Sequence, residues 1–589
     1  MKQFLKYTLA IIAGIFIACG IMLFIGFSLL GGLTMSMVDR PTIVQENSIF
    51  VLDLNGIIEE RHRQDPINEL LGEENSMYGL DEILVAIEKA GTDAKIKGIY
   101  IKAGAFSCSS ATLQEIRRAL LKFKETGKFI VSYGGTYTQS TYYLASVADE
   151  LILNPQGNIL WHGMAAEIMF YKDLLKKIGV EMQVFRVGSY KSAIEPYTET
   201  RMSEASKEQT SEYVQSIWNQ ILTDISLSRG ISTADLNALA DKNLDFSEAE
   251  DYIRYEMADT LMYRDQVAGY LKKLMGVTHF DDINLLTYSD MLSIPTTPVV
   301  TDSGSIAIYY AYGEIYDGAL PSYDAVGINA GKVIRDLEKL QKDDNIKAVV
   351  LRVNSPGGSA YASEQIWHSV VQLREKKPVV VSMGDYAASG GYYISCAADY
   401  IIAESTTLTG SIGIFGIVPD ASELIIDKLG VHFDGVKTNR LADMGTLARP
   451  LNTEERALFQ NMINNGYNLF IKRCADGRKM DIEEMQKIAE GRVWTGKNAK
   501  TLGLVDELGG INTAIETAAK LADIQDYIVE KYPEQEDFWA TLLSTTSNRY
   551  FHSHIHNFLG EYYNIILTLK NIDQKARIQA RIPYEISIR

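Results

Sequence analysis

Hydrophobic positions along this chain fall into three kinds of run. The first is continuous: after Lys2 and Lys6 no charge appears until Asp39, and the apolar stretch from Tyr7 to Thr34 spans 28 residues without a polar face. At a rise of about 1.5 Å per residue it can cross a ~30 Å hydrocarbon core with tilt, so a transmembrane anchor is expected over residues 1–34. The run is too long for a typical cleaved signal, and no clear Ala-x-Ala site marks its end. A lipoprotein box at Phe16–Gly20 meets the same objection, because the apolar run continues well past Cys19. Positive flanks stay inside. The bulk of the chain is therefore expected on the periplasmic side of the inner membrane, held by a single pass.

The second kind of run is short. Ile49–Leu54, Gly98–Ile101, Phe129–Ser132, Ile306–Tyr310, Ala348–Val353 and Val379–Ser382 read as strands. The third kind is periodic: Ser110–Thr126 and Ala360–Lys376 place apolar residues at helical spacing, and about Thr200 to Leu285 is strongly helical. Short apolar strands separated by single helices predict an α/β fold, with parallel strands joined by right-handed crossovers. Gly56 and Gly313 each follow the first strand of a half. Beyond a linker near Met35–Glu46, the expected units are 45–300, 301–523 and a tail, 524–589, without a repeat partner.

The two halves are one pattern written twice. Residues 96–149 and 346–399 match without a gap at a spacing of 250, from Ile96-Lys97-Gly98 and Ile346-Lys347-Ala348 to Ala148-Asp149 and Ala398-Asp399. A period that long signals duplication of a whole domain. The turns Asn354-Ser355-Pro356-Gly357-Gly358-Ser359 and Tyr386–Tyr393 answer to Gly104–Ser109 and Thr136–Tyr143. The Tyr-Tyr pair survives in both, while Ser389 is answered by Gln139. Just beyond, Ile178-Gly179-Val180 aligns with Leu429-Gly430-Val431, and that register sets Lys191 opposite Ala442. One half has kept a lysine without the serine, the other a serine without the lysine. Complementary loss predicts one site assembled from both halves.

Bulk properties narrow the partners. At 589 residues the chain is too long for one core, and a net charge of −18 argues against nucleic acid. Cys19, Cys108, Cys396 and Cys474 are too scattered for a disulfide or zinc framework and read as small buried residues. No metal and no cofactor is expected.

A serine hydroxyl needs a base before it can attack, and histidine is the usual one. None of the eight histidines falls in either duplicated turn. Lysine can serve if desolvation lowers its pKa from about 10.4 towards neutrality, and Lys191 is followed by Ser192-Ala193-Ile194, a semi-buried setting. Ser389 before Gly390-Gly391 fits a strand-to-helix turn whose first N–H groups face a forming oxyanion.

Ser355-Pro356-Gly357-Gly358, Ala388-Ser389-Gly390-Gly391-Tyr392-Tyr393, Thr409-Gly410-Ser411-Ile412-Gly413 and Tyr190-Lys191-Ser192-Ala193, with the duplication, resemble the long-form signal peptide peptidase A (protease IV) family. The resemblance covers nearly the whole chain. It implies a membrane-anchored serine endopeptidase with tandem duplicated Clp/crotonase-like domains, each a spiral of ββα units. It implies Ser389 as nucleophile, Lys191 as general base, the backbones of Gly358 and Gly390 as oxyanion hole, and Ser411 as support for the lysine. Cys108 and Ser140 stand where the first half would have that hole. The resemblance further implies a homotetrameric bowl. An anchored peptidase outside the cytoplasm meets cleaved signal peptides and other unfolded peptides, which a groove would bind extended by strand addition.

Three other patterns point away from this chemistry. Gly491-Arg492-Val493-Trp494-Thr495-Gly496-Lys497-Asn498 is close to a phosphate loop, but Asn498 stands where Ser or Thr would hold magnesium, so no nucleotide is expected. His552, His554 and His556 alternate without interleaved cysteine or acid. Asp343-Asp344 reads as a turn. Two other classes remain open: a crotonase-like acyl-CoA enzyme, which would use no serine nucleophile, and a non-catalytic membrane scaffold. Fluorophosphonate labelling separates the first from a peptidase. A scaffold would show random decay of both halves.

Overall fold

The short apolar runs become strands that pair in parallel, giving each half its own sheet. The computed structural model describes residues 41–62, 77–295 except 243, 304–534 except 319 and 321–325, the strand Ile578–Arg581, and Gly14. Apart from Gly14, the expected membrane segment 1–34 lies outside the described residues, as does the His552–His556 alternation. Among the described residues no helix is long and apolar enough to cross a membrane.

The first sheet runs Asn284–Leu286, Ser48–Asp53, Ile96–Lys102, Phe129–Tyr137, Glu150–Ile159, Thr260–Leu261, all parallel. The second runs Val493–Thr495, Leu408–Gly410, Val379–Ala388, Ile346–Ser355, Ser305–Tyr312, Ile528–Tyr532, with only Val493–Thr495 antiparallel along that path. The supposed tail thus begins as sheet. Ile528–Glu530 flank Ser305–Ala307 just as Asn284–Leu286 flank Ser48–Phe50, so the second half extends to about residue 532 and this strand has a structural counterpart.

Each half is built from ββα units. Ser48–Asp53 bends at Gly56 into Gly56–Glu59, and Ser305–Tyr312 bends at Gly313 into Glu314–Tyr316. Ile96–Lys102 and Ile346–Ser355 are likewise followed by Phe106–Ser107 and Gly357–Ser359, then by the helices Ser110–Lys124 and Ala360–Arg374. The short strands form separate sheets, one of three strands in the first half and one of six built mainly from the second. Each helix ends two residues before the expected boundary, both times within a Lys/Glu-rich turn.

The halves share a core instead of meeting at a thin interface. One face of the second sheet packs on its own helices, with Val349 and Leu351 against Leu337 and Ile366. The other face, with Ile306, Ile308, Ala348, Val350 and Val380, joins the same cluster as Leu113, Ile116 and Leu120 of the first half. Strands covered on both sides must be apolar at successive positions, which is why they read as continuous runs and not as alternations.

Buried charge crosses that junction. Arg352, 1% exposed, reaches Glu60 at 2.9 Å and Glu115 at 2.8 Å, both from the first half. Asn354 Nδ2 donates to Glu60 (2.8 Å), and Thr112 donates to Asp385 through both N–H and hydroxyl (2.9 Å each). Burial raises the pKa of Glu60 and Asp385 and pushes Glu404, paired with Arg118, to about 7. Arg352→Met leaves Glu60 and Glu115 buried without their cation, and removing one partner of such a pair costs about 3–5 kcal/mol. The expected result is a lower urea midpoint at neutral pH, read by denaturant titration.

Candidate active site

Ser389 ends the central strand Val379–Ala388 and opens the helix Gly390–Ser395. Its backbone has φ 55° and ψ −113°, a conformation that non-glycine residues rarely adopt. It is held there by Ser389 N–H donating to Gly410 O (2.8 Å) and by Tyr393 N–H donating back to Ser389 O (2.8 Å). A sharp strand-to-helix bend of this kind projects a nucleophile from the sheet edge. Ser411, at φ 47°, is the second strained serine nearby.

Lys191 arrives from the other half. The strand Glu181–Arg186 of the first half pairs antiparallel with Phe415–Asp420 of the second, and five residues later the lysine side chain enters the second half. Lys191 Nζ lies 2.7 Å from Ser389 Oγ, 3.0 Å from Ser411 Oγ and 3.0 Å from Ser411 O. The residue is 1% exposed. Burial lowers its pKa well below the ordinary lysine value, and no carboxylate is among the amine's hydrogen-bond partners to restore it. A desolvated amine with a lone pair on a serine hydroxyl is chemically equipped to take its proton.

Gly358 lies in the short strand Gly357–Ser359, where the chain presses on its neighbour. A Cβ on Gly358 would sit 2.2 Å from Ile315 O, and its φ is +157°, so only glycine fits. Gly390 is the first residue of the helix behind Ser389. The sequence-predicted residues Ser389, Lys191 and Ser411 are thus in direct contact, with Gly390 adjoining the serine. Gly358 stands on the strand that follows Ser355, whose carbonyl a Cβ on Gly391 would meet at 2.6 Å.

Beside Gly358 runs an extended chain. The strand Ile578–Arg581 lies antiparallel between Gly357–Ser359 and Phe415–Asp420, with Ala580 opposite Gly358 and Gln579 opposite Phe415. The slot between those strands therefore has the width of one extended strand, and Ile578–Arg581 fills it here.

The first half shows how its copy of this site was closed. Gln139, in place of the serine, exchanges two hydrogen bonds with Gly163: its Nε2 donates to the carbonyl (3.1 Å) and its Oε1 accepts from the N–H (3.2 Å). Trp161 occupies the position answering to Ser411, fully buried, its Nε1 donating to Leu236 O (2.8 Å) and its ring on Trp218 and Tyr142. Cys108 is half-buried, and burial raises its thiol pKa. Cys396 and Cys474 are buried. Asp343 caps the helix Ala330–Lys342 in a turn.

Sequence reasoning missed Gln209 and the segment Glu490–Val493, which touch the lysine turn directly. Tyr190 N–H donates to Glu490 O (3.1 Å), Ser411 N–H to Arg492 O (2.7 Å), and Gln209 Nε2 to Tyr190 O (3.0 Å). The near-phosphate loop was the available signal. In place of a phosphate cradle it forms the strand Val493–Thr495 with the Trp494 indole donating to Ile488 O (2.9 Å).

Comparison with known proteins gives the family. Peptidase family S49 matches residues 122–278 and 371–525, and a Clp protease family matches 326–408. Protease 4 of Salmonella typhi is 38% identical over 505 residues, spanning 82% of this chain and 80% of its own. Protease 4 of Haemophilus influenzae is 34% identical over 577 residues, 93% and 92% of the two chains. The chloroplastic serine protease SPPA of Arabidopsis thaliana is 32% identical over 485 residues, 82% and 70%. A solved structure, a point mutant of ClpP1 from Listeria monocytogenes, aligns with 34% of this chain and 91% of its own at 18% identity and a TM-score of 0.23, too loose a superposition to carry an argument. With two matched segments in tandem and relatives alike over most of its length, the chain belongs to peptidase family S49 and is a serine-type peptidase of the SppA/protease 4 kind.

Proposed function

We propose that this chain is a membrane-anchored endopeptidase in which Ser389 is the nucleophile and Lys191 the general base, degrading cleaved signal peptides and other unfolded peptides outside the inner membrane as a homotetramer. The observation that carries the reading is the 2.7 Å contact between Lys191 Nζ and Ser389 Oγ, buried and made across 198 residues. Neutral Lys191 takes the hydroxyl proton as Oγ bonds to the scissile carbonyl carbon. The carbonyl oxygen gains the negative charge where the N–H groups of Gly358 and Gly390 can meet it. Collapse breaks the C–N bond, and the ammonium returns its proton to the leaving amine. Water then attacks the acyl ester with the same lysine as base, releasing the acid and restoring Ser389. Ser411, on the amine from the other side, keeps the lone pair aimed at Oγ.

The slot between Gly357–Ser359 and Phe415–Asp420, which takes the extended Ile578–Arg581 here, supports an extended substrate in the same place. A folded protein cannot offer an unpaired strand there, whereas a released signal peptide can. Signal-peptide-like sequences are expected to be cleaved and a folded soluble protein spared, compared at equal concentration by mass spectrometry of the products. Preference for the folded protein would overturn the substrate reading while leaving the dyad standing.

A further inference from the structure

We propose that Gln209 and Arg492 are positioning residues for Lys191, holding its amine on Ser389 through the turn Tyr190–Ser192 and the segment Glu490–Val493. The inference rests on the Ser389–Lys191 reading and deepens it.

A buried neutral amine has no countercharge to fix it. Its partners are two serines, and neutral hydrogen bonds alone restrain a four-carbon side chain weakly. The direction of Lys191 must therefore come from its backbone. That backbone is a tight turn: Lys191 has φ −76° and ψ 72°, and Ser192 N–H donates to Tyr190 O at 2.8 Å, an inverse γ-turn with the lysine at its apex. A three-residue turn is too small to hold itself in place, so its surroundings decide where the amine points.

Gln209, 1% exposed on the helix Glu204–Arg229, ties the turn at both ends. Its Nε2 donates to Tyr190 O (3.0 Å) and to Ser192 Oγ (2.9 Å), while its Oε1 accepts from Val493 N–H (3.2 Å). One amide thus joins the lysine turn of the first half to the second half's segment. Its three contacts use both donors and the acceptor, which no other uncharged side chain of that length offers.

Arg492 holds the other side. Its guanidinium is sandwiched between the rings of Tyr190 (4.6 Å) and Trp494 (4.5 Å), donates to Tyr190 OH (3.0 Å) and pairs with Glu208 (3.0 Å) and Glu212. The planar fork stacks and donates at once, which lysine cannot do. Its backbone carbonyl meanwhile accepts from Ser411 N–H (2.7 Å). Arg492 therefore touches the residue before the base and the residue that orients the base.

Gly491 lets the segment come this close. A Cβ there would lie 2.7 Å from Lys191 Cβ, 2.8 Å from its N and 2.9 Å from its Cα, with φ at +80°. Its N–H donates to Ile412 O (2.9 Å), and its carbonyl accepts from Ser411 Oγ (3.3 Å). The Gly-Arg-Val-Trp stretch that looks like a phosphate loop is in this reading a cradle for a lysine turn. The ionisable groups flanking the turn are Arg186 and Glu195 on its own segment, Glu208 and Glu212 on the helix, and Glu490 and Arg492 on the cradle. None is a hydrogen-bond partner of the amine, so they act on its place and not on its charge through contact.

The test uses the full chain and an unfolded peptide substrate, with kcat, KM, the pH profile of kcat/KM, and thermal unfolding measured for each variant. Arg492→Ala and Gln209→Ala are expected to lower kcat by about 10²-fold at near-constant KM, the loss that a displacement of about 1 Å produces. The rising limb of the pH profile should move to higher pH, because a loosened turn lets water reach the amine. Arg492→Lys should restore most of the thermal stability, since it can still pair with Glu208 and Glu212, but little of kcat. If Gln209→Ala does not fold, Gln209→Glu, which keeps the acceptor for Val493 and loses the donor to Tyr190, should show the same shift. A kcat within about threefold of the parent with an unmoved limb, or full recovery of kcat in Arg492→Lys, overturns the positioning role. Lys191→Ala measured alongside keeps the two readings apart: near-normal turnover there removes the dyad itself, whatever Arg492 and Gln209 do.

Discussion

Ser389→Ala and Lys191→Ala should each remove peptide hydrolysis by about 10⁴-fold or more while leaving the fold intact. In the proposed mechanism both side chains act in the same proton transfer, so the double variant should be no slower than either single one. The contact that makes them one unit is the 2.7 Å approach of Nζ to Oγ. Retention of near-normal turnover by Lys191→Ala at neutral pH would sink the assignment. pH gives a second reading. The base must be neutral, and burial lowers the lysine pKa well below its ordinary value. The rate should therefore be low where the amine is charged, rise through the lowered pKa, and level off above it. A profile flat from about pH 6 to 9 counts against a lysine base. An unburied lysine would put the rise near pH 10.4, so the displacement of the limb measures desolvation directly.

Duplication made the contacting pair legible in the sequence alone. Gln139 against Ser389 and Ala442 against Lys191 are differences that one sequence carries against itself, and they single out the two residues now in contact. The strands were legible for a similarly plain reason: with both faces covered, their apolar runs were unbroken. Their ends were not. Ile346–Ser355 continues through polar Asn354 and Ser355 because Ser355 still pairs with Ala387 beside the site. Ile528–Tyr532 reads as tail in sequence because Glu530 and Lys531, half-buried on an edge strand, interrupt its apolar run. Gln209 and Arg492 were illegible for a deeper reason. Their partners lie up to 302 residues away, and no periodicity or spacing encodes a contact between a helix of one half and a loop of the other.

The same duplication leaves half of an interface unfilled. In the first half, Ile178-Gly179-Val180 leads into Glu181–Arg186, which pairs with Phe415–Asp420 of the same chain. In the second half, Leu429-Gly430-Val431 leads into a segment that makes no such pairing among the described residues, and Leu429, Val431, Phe433 and Val436 stand exposed. The counterpart of Phe415–Asp420 is residues 165–170, which form no strand, with Met169 exposed. Each chain thus presents both members of the contact that it has already made once internally. A second copy can supply the missing partner at either end, and contacts of that head-to-tail kind close into rings. An exposed apolar segment left in water is otherwise a liability. For the proposed tetramer, light scattering of the detergent-solubilised full chain is expected to give a multiple of the 65.7 kDa chain mass. Val431→Asp with Val436→Asp should reduce it to single chains, because a charge buried in an apolar contact costs more than the contact returns. Fluorophosphonate labelling of Ser389 should persist in that variant, since the lysine proposed to activate it comes from the same chain. A parent protein that is already a fully active single chain would leave the exposed segment 429–436 without a partner of this kind.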